Sequence, residues 1–323
     1  MRVAVLGAGA IGAYVGASLA RGGADVALIA RGEHLEAMRS AGVRVLSPRG
    51  DFDVHVLATD DPREVGPVDH VILGLKAHDY AACGPLLGPL LGPDTAVVAA
   101  QNGIPWWYFH REGGRFEGRR IEAVDPGGAV SAAIDPARAI GCVVYSSTEL
   151  EAPGVVRHLE GTRFSIGEPD GSISERCTSL SAAMVAGGLK CPVEPDIRND
   201  MWVKLMGNVA FNPLSALTRA TMVQIATDPG TRALVTAVMR ETLAVARALG
   251  REPSVSIERR LAGAEAVGAH RTSMLQDLEA GKRLELASVI GAVVELAELV
   301  GVEIPATFAL YAAASLLDRR TAR

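Results

Sequence analysis

An apolar run, a glycine turn and a helical pattern follow one another at the start of this chain. Together they restrict its fold more than any other feature. Val3-Ala4-Val5-Leu6 leads directly into Gly7-Ala8-Gly9-Ala10-Ile11-Gly12. G-x-G-x-x-G between a strand and a helix is the dinucleotide-binding fingerprint in its proper setting. Gly7 permits the tight turn, Gly9 lets the backbone approach a pyrophosphate, and Gly12 lets the helix pack closely on the strand. The pyrophosphate is expected on the positive end of that helix, against Ala8, Ala10 and Ile11. Glycine clusters also make ordinary turns, so the flanking strand and helix carry this reading.

The second strand reads Asp25-Val26-Ala27-Leu28-Ile29-Ala30, and Arg31 follows at once. An NAD site usually places an acidic residue near this point to hold the ribose 2′-hydroxyl. A guanidinium there instead suits a 2′-phosphate, through paired charge-assisted hydrogen bonds. The expected cofactor is therefore NADP, bound as NADPH, with Arg31 on the phosphate and His34 one helical turn on as a candidate assistant.

The chain has 323 residues, enough for two domains, and 49% of them are hydrophobic. No uninterrupted apolar stretch is long enough to span a bilayer, and the N-terminus passes straight into a strand without a basic leader. The expectation is a cytoplasmic protein without a membrane partner. A formal net charge of −5 argues against a general nucleic-acid surface. Cys83, Cys142, Cys177 and Cys191 lack C-x-x-C spacing, so reduced structural thiols are expected and no metal site. Basic residues are almost all Arg. The only lysines are Lys76, Lys190, Lys204 and Lys282, and the only asparagines are Asn102, Asn199, Asn208 and Asn212. A chain that spends Arg almost everywhere keeps Lys where a compact, titratable ammonium is useful.

The first half alternates short strands with helical segments, as a parallel sheet requires. Strands are expected at 2–6, 25–30, 70–75 and 95–99, and antiparallel, hairpin-like strands near 139–149 and 154–166. A helix is expected from about 174 to 187, and 190–195 as a last edge strand. Beyond Asp196 the pattern is helical alone, with amphipathic runs at 231–249 and 284–300, each closed by a glycine. The fold class is therefore α/β: an N-terminal Rossmann-type dinucleotide-binding domain over 1–195 and an all-α domain over 196–323. A helical domain of this size is a common place for a dimer contact, and a homodimer through it is expected.

Ligands of open α/β sheets bind beyond the carboxyl ends of the strands. Lys76 stands at one such end and Asn102, in Gln101-Asn102-Gly103, beyond the next. Asn-Gly is also a plain turn dipeptide. With Lys76 on the neighbouring strand, a role in holding the ribose or nicotinamide is favoured. In the second half, Lys204, Asn208 and Asn212 recur at i, i+4 and i+8, which puts them in one stripe on a helix. The helix is otherwise apolar: Trp202, Leu205, Met206, Val209 and Phe211. Solvated faces are normally built from Glu, Lys and Arg, not from two asparagines, which are poor helix formers. Pro213 marks Asn212 as an expected helix end or kink. Further on, Ser273 supplies a hydroxyl and Glu285 a carboxylate; either alone is more often a cap or a surface residue.

Taken together, these motifs resemble the ketopantoate reductase (2-dehydropantoate 2-reductase) family, relatives of the 6-phosphogluconate dehydrogenase-like group. The matching stretches are GAGAIG at 7–12, Arg31, LGLKAHD at 73–79, QNG at 101–103, WVKLMGNVAFNPLSAL at 202–217, SMLQDLEAGKRLE at 273–285 and GVEIPAT at 301–307. The resemblance runs through essentially the whole chain in order. It implies NADPH-dependent reduction of a small 2-oxo acid, ketopantoate, to pantoate, a step towards pantothenate. By the same resemblance Lys204 is the general acid, and Glu285 orients it or touches the cofactor. Asn208, Asn212 and Ser273 bind the substrate, and Asn102 bridges cofactor and substrate.

The chain departs from the family pattern in places. Met222 or a close neighbour stands where some members have a further substrate-binding Asn. His270 replaces an Asn shortly before the Ser, and Leu286-Ala287 replaces an acidic-aromatic pair. The aromatic loop Trp106-Trp107-Tyr108-Phe109-His110 is either packing or a wall of the site. Two alternatives stay open: a paralogous reductase of another 2-oxo acid, carbonyl or imine, and a non-catalytic NADPH-sensing protein.

Overall fold

Four consecutive buried side chains, Val3 to Leu6, make β1 (Arg2–Leu6) a strand covered on both faces. The computed structural model describes residues 1–321, and they divide into two compact units. The first comprises Met1–Gln101, Trp106–Arg120 and Gly128–Ile197; the second comprises Asn102–Pro105, Ile121–Gly127 and the chain from Arg198 onward.

In the first unit β1 is followed by α1 (Ala10–Arg21), β2 (Asp25–Ile29), α2 (Gly32–Ala41), β3 (Val43–Leu46), β4 (Phe52–Val54), β5 (Leu57–Thr59) and β6 (Val68–Leu73). Then come α3 (Gly84–Leu87), β7 (Leu91–Ala99), α4 (Ala129–Ala133), β8 (Ala139–Val144), β9 (Ser147–Ala152), β10 (Val155–Glu160), β11 (Phe164–Gly167) and α5 (Glu175–Ala186). The main sheet has the order β11-β8-β7-β6-β1-β2-β5. It is parallel except for β11, which runs antiparallel to β8. Strand order reverses beside β1, which pairs with β2 on one side and β6 on the other. The glycine turn leaves β1 at this switch point, where such sheets take ligands.

Residues 139–167 form four strands in two sheets, not one hairpin system. β8 and β11 extend the main sheet. β9 and β10 join β3 and β4 in a second sheet, β4-β3-β10-β9, with β3 and β10 parallel. This sheet packs on α1, where Tyr14 stacks on His158 with ring centroids 4.7 Å apart. Residues 190–195 contribute only isolated bridges, Lys190 to Arg163 and Val193 to Ile166. Trp106, Trp107, Tyr108 and Phe109 are all buried within the first unit. Trp106 packs edge-on to Tyr80, and its indole N–H donates to the Ile134 carbonyl at 3.0 Å. The aromatic loop is core packing.

The second unit carries α6 (Ile197–Thr218), α7 (Met222–Thr227), α8 (Pro229–Ala248), α9 (Ile257–Ala266), α10 (Ser273–Glu279), α11 (Ala292–Val300) and α12 (Pro305–Thr321). Side chains cap these helices as the sequence demands: Asp228 on α8, Ser256 on α9 and Thr272 on α10. Of the end or kink expected at Asn212–Pro213, the end is not found: α6 runs through Pro213 to Thr218. Proline removes only the bond to the Val209 carbonyl, and the dense burial of residues 209–216 holds the flanking turns helical. The expected helix over 284–300 is also altered. Its first part is a π-turn at Ala287–Gly291, in which Ala292 N–H reaches back five residues to the Ala287 carbonyl.

Candidate active site

The cofactor-binding residues named from the sequence lie in the first unit, except Asn102 and Glu285. Gly7 has φ +93°, and a Cβ there would lie 2.7 Å from Leu75 Cδ2. A Cβ on Gly12 would lie 2.2 Å from the Gly7 carbonyl oxygen. At Gly9 nothing stands within 4 Å of where a side chain would begin. Gly7 and Gly12 are thus forced by close packing, whereas Gly9 is the open face of the turn. The Gly7 and Ala8 amides are spent on the Ile29 carbonyl at 3.1 and 3.0 Å. No side chain caps α1 at Gly9, so its first turn, from Ala10 through Ile11 to Gly12, presents backbone amides and the positive end of the helix dipole. A half-buried, glycine-walled, uncapped helix start fits a pyrophosphate.

Arg31 is exposed at the N-cap of α2, two residues past Ile29. His34 does something other than assist it. Gly154 N–H donates to His34 Nδ1 at 2.9 Å, which leaves the proton on Nε2, and Nε2 donates to the Ala8 carbonyl at 2.8 Å. Both ring nitrogens are engaged, so His34 ties the glycine turn to the β9–β10 turn. Lys76 is half-buried just beyond β6, where it precedes a short 3-10 turn. Gly74 brings this strand end against the glycine turn: a Cβ on it would lie 2.3 Å from the Gly7 carbonyl.

In the second unit three of the predicted residues meet. Lys204 Nζ donates to Asn102 Oδ1 at 2.7 Å, and Asn102 Nδ2 donates to Glu285 Oε2 at 3.2 Å. Lys204 and Asn102 are half-buried, and Glu285 is 6% exposed. One amide thus accepts from an amine and donates to a carboxylate, which fixes its flip. The backbone of Glu285 is itself held. Its carbonyl accepts from Val289 N–H at 3.2 Å, and Leu284 N–H donates to Asp318 Oδ1 at 2.9 Å. Asn208, half-buried, and Asn212, buried, follow Lys204 at one-turn spacings along α6. Ser273 is exposed as the first residue of α10, directly after the Thr272 cap.

Sequence reasoning did not single out Arg260, Gly103 or the π-turn. Arg260 Nη2 donates to the Lys204 carbonyl at 3.3 Å, and its guanidinium lies where a side chain on Gly207 would begin. The glycine inside the α6 pattern was the available signal, since a helical glycine often marks a close approach. No group of three or more His, Cys, Asp or Glu among the described residues is arranged to hold a metal ion. No helix among them is long and apolar enough to cross a membrane. The four cysteines are buried thiols; burial pushes Cys83 up to about 11 and Cys177 up to about 12, so both stay protonated near neutral pH.

Two family models match the chain. One, described as ketopantoate reductase PanE/ApbA, covers residues 3–107, and its C-terminal counterpart covers 196–318. The 2-dehydropantoate 2-reductase of Mesorhizobium japonicum is 48% identical over 313 residues, 97% of this chain and 96% of that protein. The chain belongs to the ketopantoate reductase family. Among curated family members, the 2-dehydropantoate 2-reductase of Halobacterium salinarum is 33% identical, over 94% of this chain and 95% of its own length. Among solved structures, that of a candidate ketopantoate reductase from Ralstonia solanacearum MolK2 superposes with a TM-score of 0.92 at 38% identity. It covers 99% of this chain and 98% of that one. Within the family fold the first unit is the Rossmann-type domain, and the second is helical.

Proposed function

We propose that this chain reduces 2-dehydropantoate (ketopantoate) to pantoate with NADPH, the hydride going to C2 and Lys204 supplying the proton. The hydrogen-bonded chain Lys204–Asn102–Glu285 carries the reading, because a nucleotide-binding protein that did no chemistry would need no oriented amine. The 48% identical relative named 2-dehydropantoate 2-reductase supports the substrate.

In this reading the domain of residues 1–195 holds the cofactor and that of 196–323 carries the catalytic groups. Gly7–Gly12 take the pyrophosphate, Arg31 the 2′-phosphate, and Lys76 and Asn102 the ribose and nicotinamide side. The dihydronicotinamide supplies the hydride. Lys204 gives its proton to the substrate carbonyl oxygen as negative charge develops there, and its ammonium stabilises that charge beforehand. Asn102 holds the amine in place, and Glu285 holds Asn102. Asn208 and Asn212 present amides along the same helix face for the substrate hydroxyl and carboxylate, and Ser273 adds a hydroxyl.

A second reading has a specific observation behind it. Met222 N–H donates to the His270 carbonyl at 3.0 Å, so two departures from the family pattern fall in one patch. That favours a different 2-oxo acid. NADPH oxidation across a panel of 2-oxo acids decides between the two: the first reading requires the highest kcat/KM for ketopantoate, and a higher value for another acid establishes the second. Tight NADPH binding without turnover of any carbonyl contradicts both. The reading further includes a cytoplasmic location and a homodimer through the helical unit. The dimer is supported by Phe308 and Leu316, eight residues apart on α12 and each more than half exposed. A single monomeric species in sedimentation at all concentrations contradicts the dimer.

A further inference from the structure

The π-turn at Ala287–Gly291 lies two residues after Glu285, in a run, Leu286-Ala287-Ser288-Val289-Ile290, that would otherwise be ordinary helix. A π-turn is less stable than the α-helical turn it replaces and tends to occur where a site needs it. Its bonding explains its presence here. Ala292 N–H bonds five residues back to Ala287, so a carbonyl is skipped when the ladder returns to four-residue spacing. Ser288 is next in line, and its carbonyl accepts Ile104 N–H at 2.8 Å. Ser288 is 1% exposed, so this carbonyl and the Ile104 amide would each be costly to leave without a partner.

The segment Asn102–Pro105 belongs to the second unit although the chain on both sides of it belongs to the first. It lies flat on the π-turn only because residue 103 has no side chain. Gly103 has φ +85°, and a Cβ there would lie 2.1 Å from the Ser288 carbonyl oxygen and 2.8 Å from Val289 N. Both obstacles are backbone atoms and cannot swing aside. Immediately before this contact stands Asn102, with Lys204 on one side of its amide and Glu285 on the other.

We propose that the π-turn is a positioning device for the proton donor. The skipped Ser288 carbonyl clamps the 102–105 strap, Gly103 lets it seat, and the seated strap sets Asn102 between Lys204 and Glu285. Gly103 and the Ser288 carbonyl are therefore positioning elements that act through Asn102. The inference rests on the proposed role of Lys204 and adds to it a reason for the local helix defect.

Gly103→Ala tests the clamp. Its kcat with ketopantoate is expected to fall roughly 10- to 100-fold, the penalty for misplacing a catalytic group by about 1 Å, with a much smaller change in KM. On an Asn102→Ala background the same change is expected to cost nothing further, because the only effect of the strap on turnover is through Asn102. Wild-type turnover by Gly103→Ala, or a full additional loss in the double variant, overturns the inference. Amide exchange in the wild-type protein tests it without any variant that could fail to fold. Ile104 N–H is expected to be protected about as well as the helices, and exchange at the free-peptide rate overturns the clamp. Lys204→Ala separates the two claims. If it turns over normally, the proposed reductase mechanism is lost. If it is inactive while Gly103→Ala is fully active, only the clamp is lost.

Discussion

Asn102 is the residue on which the site's geometry depends most closely. Its oxygen accepts a hydrogen bond from Lys204 and its nitrogen donates one to Glu285, so the amide links the two charged side chains. Lys204 and Glu285 were both legible in the sequence, one from its helical stripe and the other from family resemblance. Their connection was not, because Asn102 and Glu285 are 183 positions apart and no local pattern relates them. His34 shows the opposite failure. Proximity to Arg31 suggested a phosphate ligand, but a ring bonded at both nitrogens to backbone is a brace. Arg31 is left as the charged group proposed for the 2′-phosphate. Arg31→Ala is expected to raise the Kd of NADPH about tenfold or more, as loss of a charge-assisted contact does, and to leave that of NADH nearly unchanged. Fluorescence titration of both nucleotides measures this, and equal losses for the two contradict the phosphate role.

Among the elements, those set by near neighbours in sequence were the readable ones. Four buried residues and a glycine turn marked β1 and the start of α1, and the amphipathic run at 231–249 marked most of α8, whereas α9 was not singled out. The second sheet was not readable, since β3 pairs with β10 more than a hundred residues away. The π-turn was not either: Ala287–Gly291 carries no local pattern that sets it apart from α-helix, and its Ser288 carbonyl bonds Ile104, far away in sequence. One cap also crosses a long separation. Glu241 on α8 accepts from Ala306 N–H, Thr307 N–H and the Thr307 hydroxyl at 3.0, 2.8 and 2.6 Å, closing the start of α12. Glu241→Ala is expected to lower stability by about 1–2 kcal/mol, readable in urea denaturation, because it removes a cap and a favourable helix-end charge. No change in midpoint contradicts that role. In the first unit two buried groups contribute to the acid side of stability. Burial pushes the His70 imidazole below its usual range, although its Nε2 bonds the Arg176 carbonyl at 2.9 Å. Burial pushes the Glu168 carboxyl up, but hydrogen bonds from Arg176 and Ser174 and the Arg176 charge outweigh it and hold it low. Both folded values lie below the unfolded ones. Each contribution is therefore complete above the unfolded value and lost as pH falls towards the folded one. Stability should begin to fall below about pH 6.5 through His70 and fall further below about pH 4.3 through Glu168. Denaturation series on His70→Gln and Glu168→Gln check this: each variant should flatten its own part of the curve, and an unchanged pH profile in both contradicts the assignment.

For the whole molecule, fold class was carried by periodicity: alternating strands and helices up to Pro195, helices alone after it. The chain's two compact units are not two continuous segments. Residues 102–105 and 121–127 belong with the helical unit, and Glu295 fixes the second of these by accepting from Glu122 and Ala123 amides at 2.8 and 2.7 Å. A boundary drawn at one point in a sequence cannot express such an exchange, because short loops carry no composition of their own. Its consequence for function is direct: Asn102, which directly follows Gln101 of the first unit, belongs to the second and bonds Lys204 and Glu285 there. One amine, that of Lys204, is proposed to deliver the proton that completes reduction of a carbonyl. Steady-state kinetics of Lys204→Ala with NADPH and ketopantoate test it most directly, alongside nucleotide titration of the same variant. The prediction is a kcat lower by about two orders of magnitude or more with NADPH affinity largely retained. Turnover near the wild-type rate would contradict it.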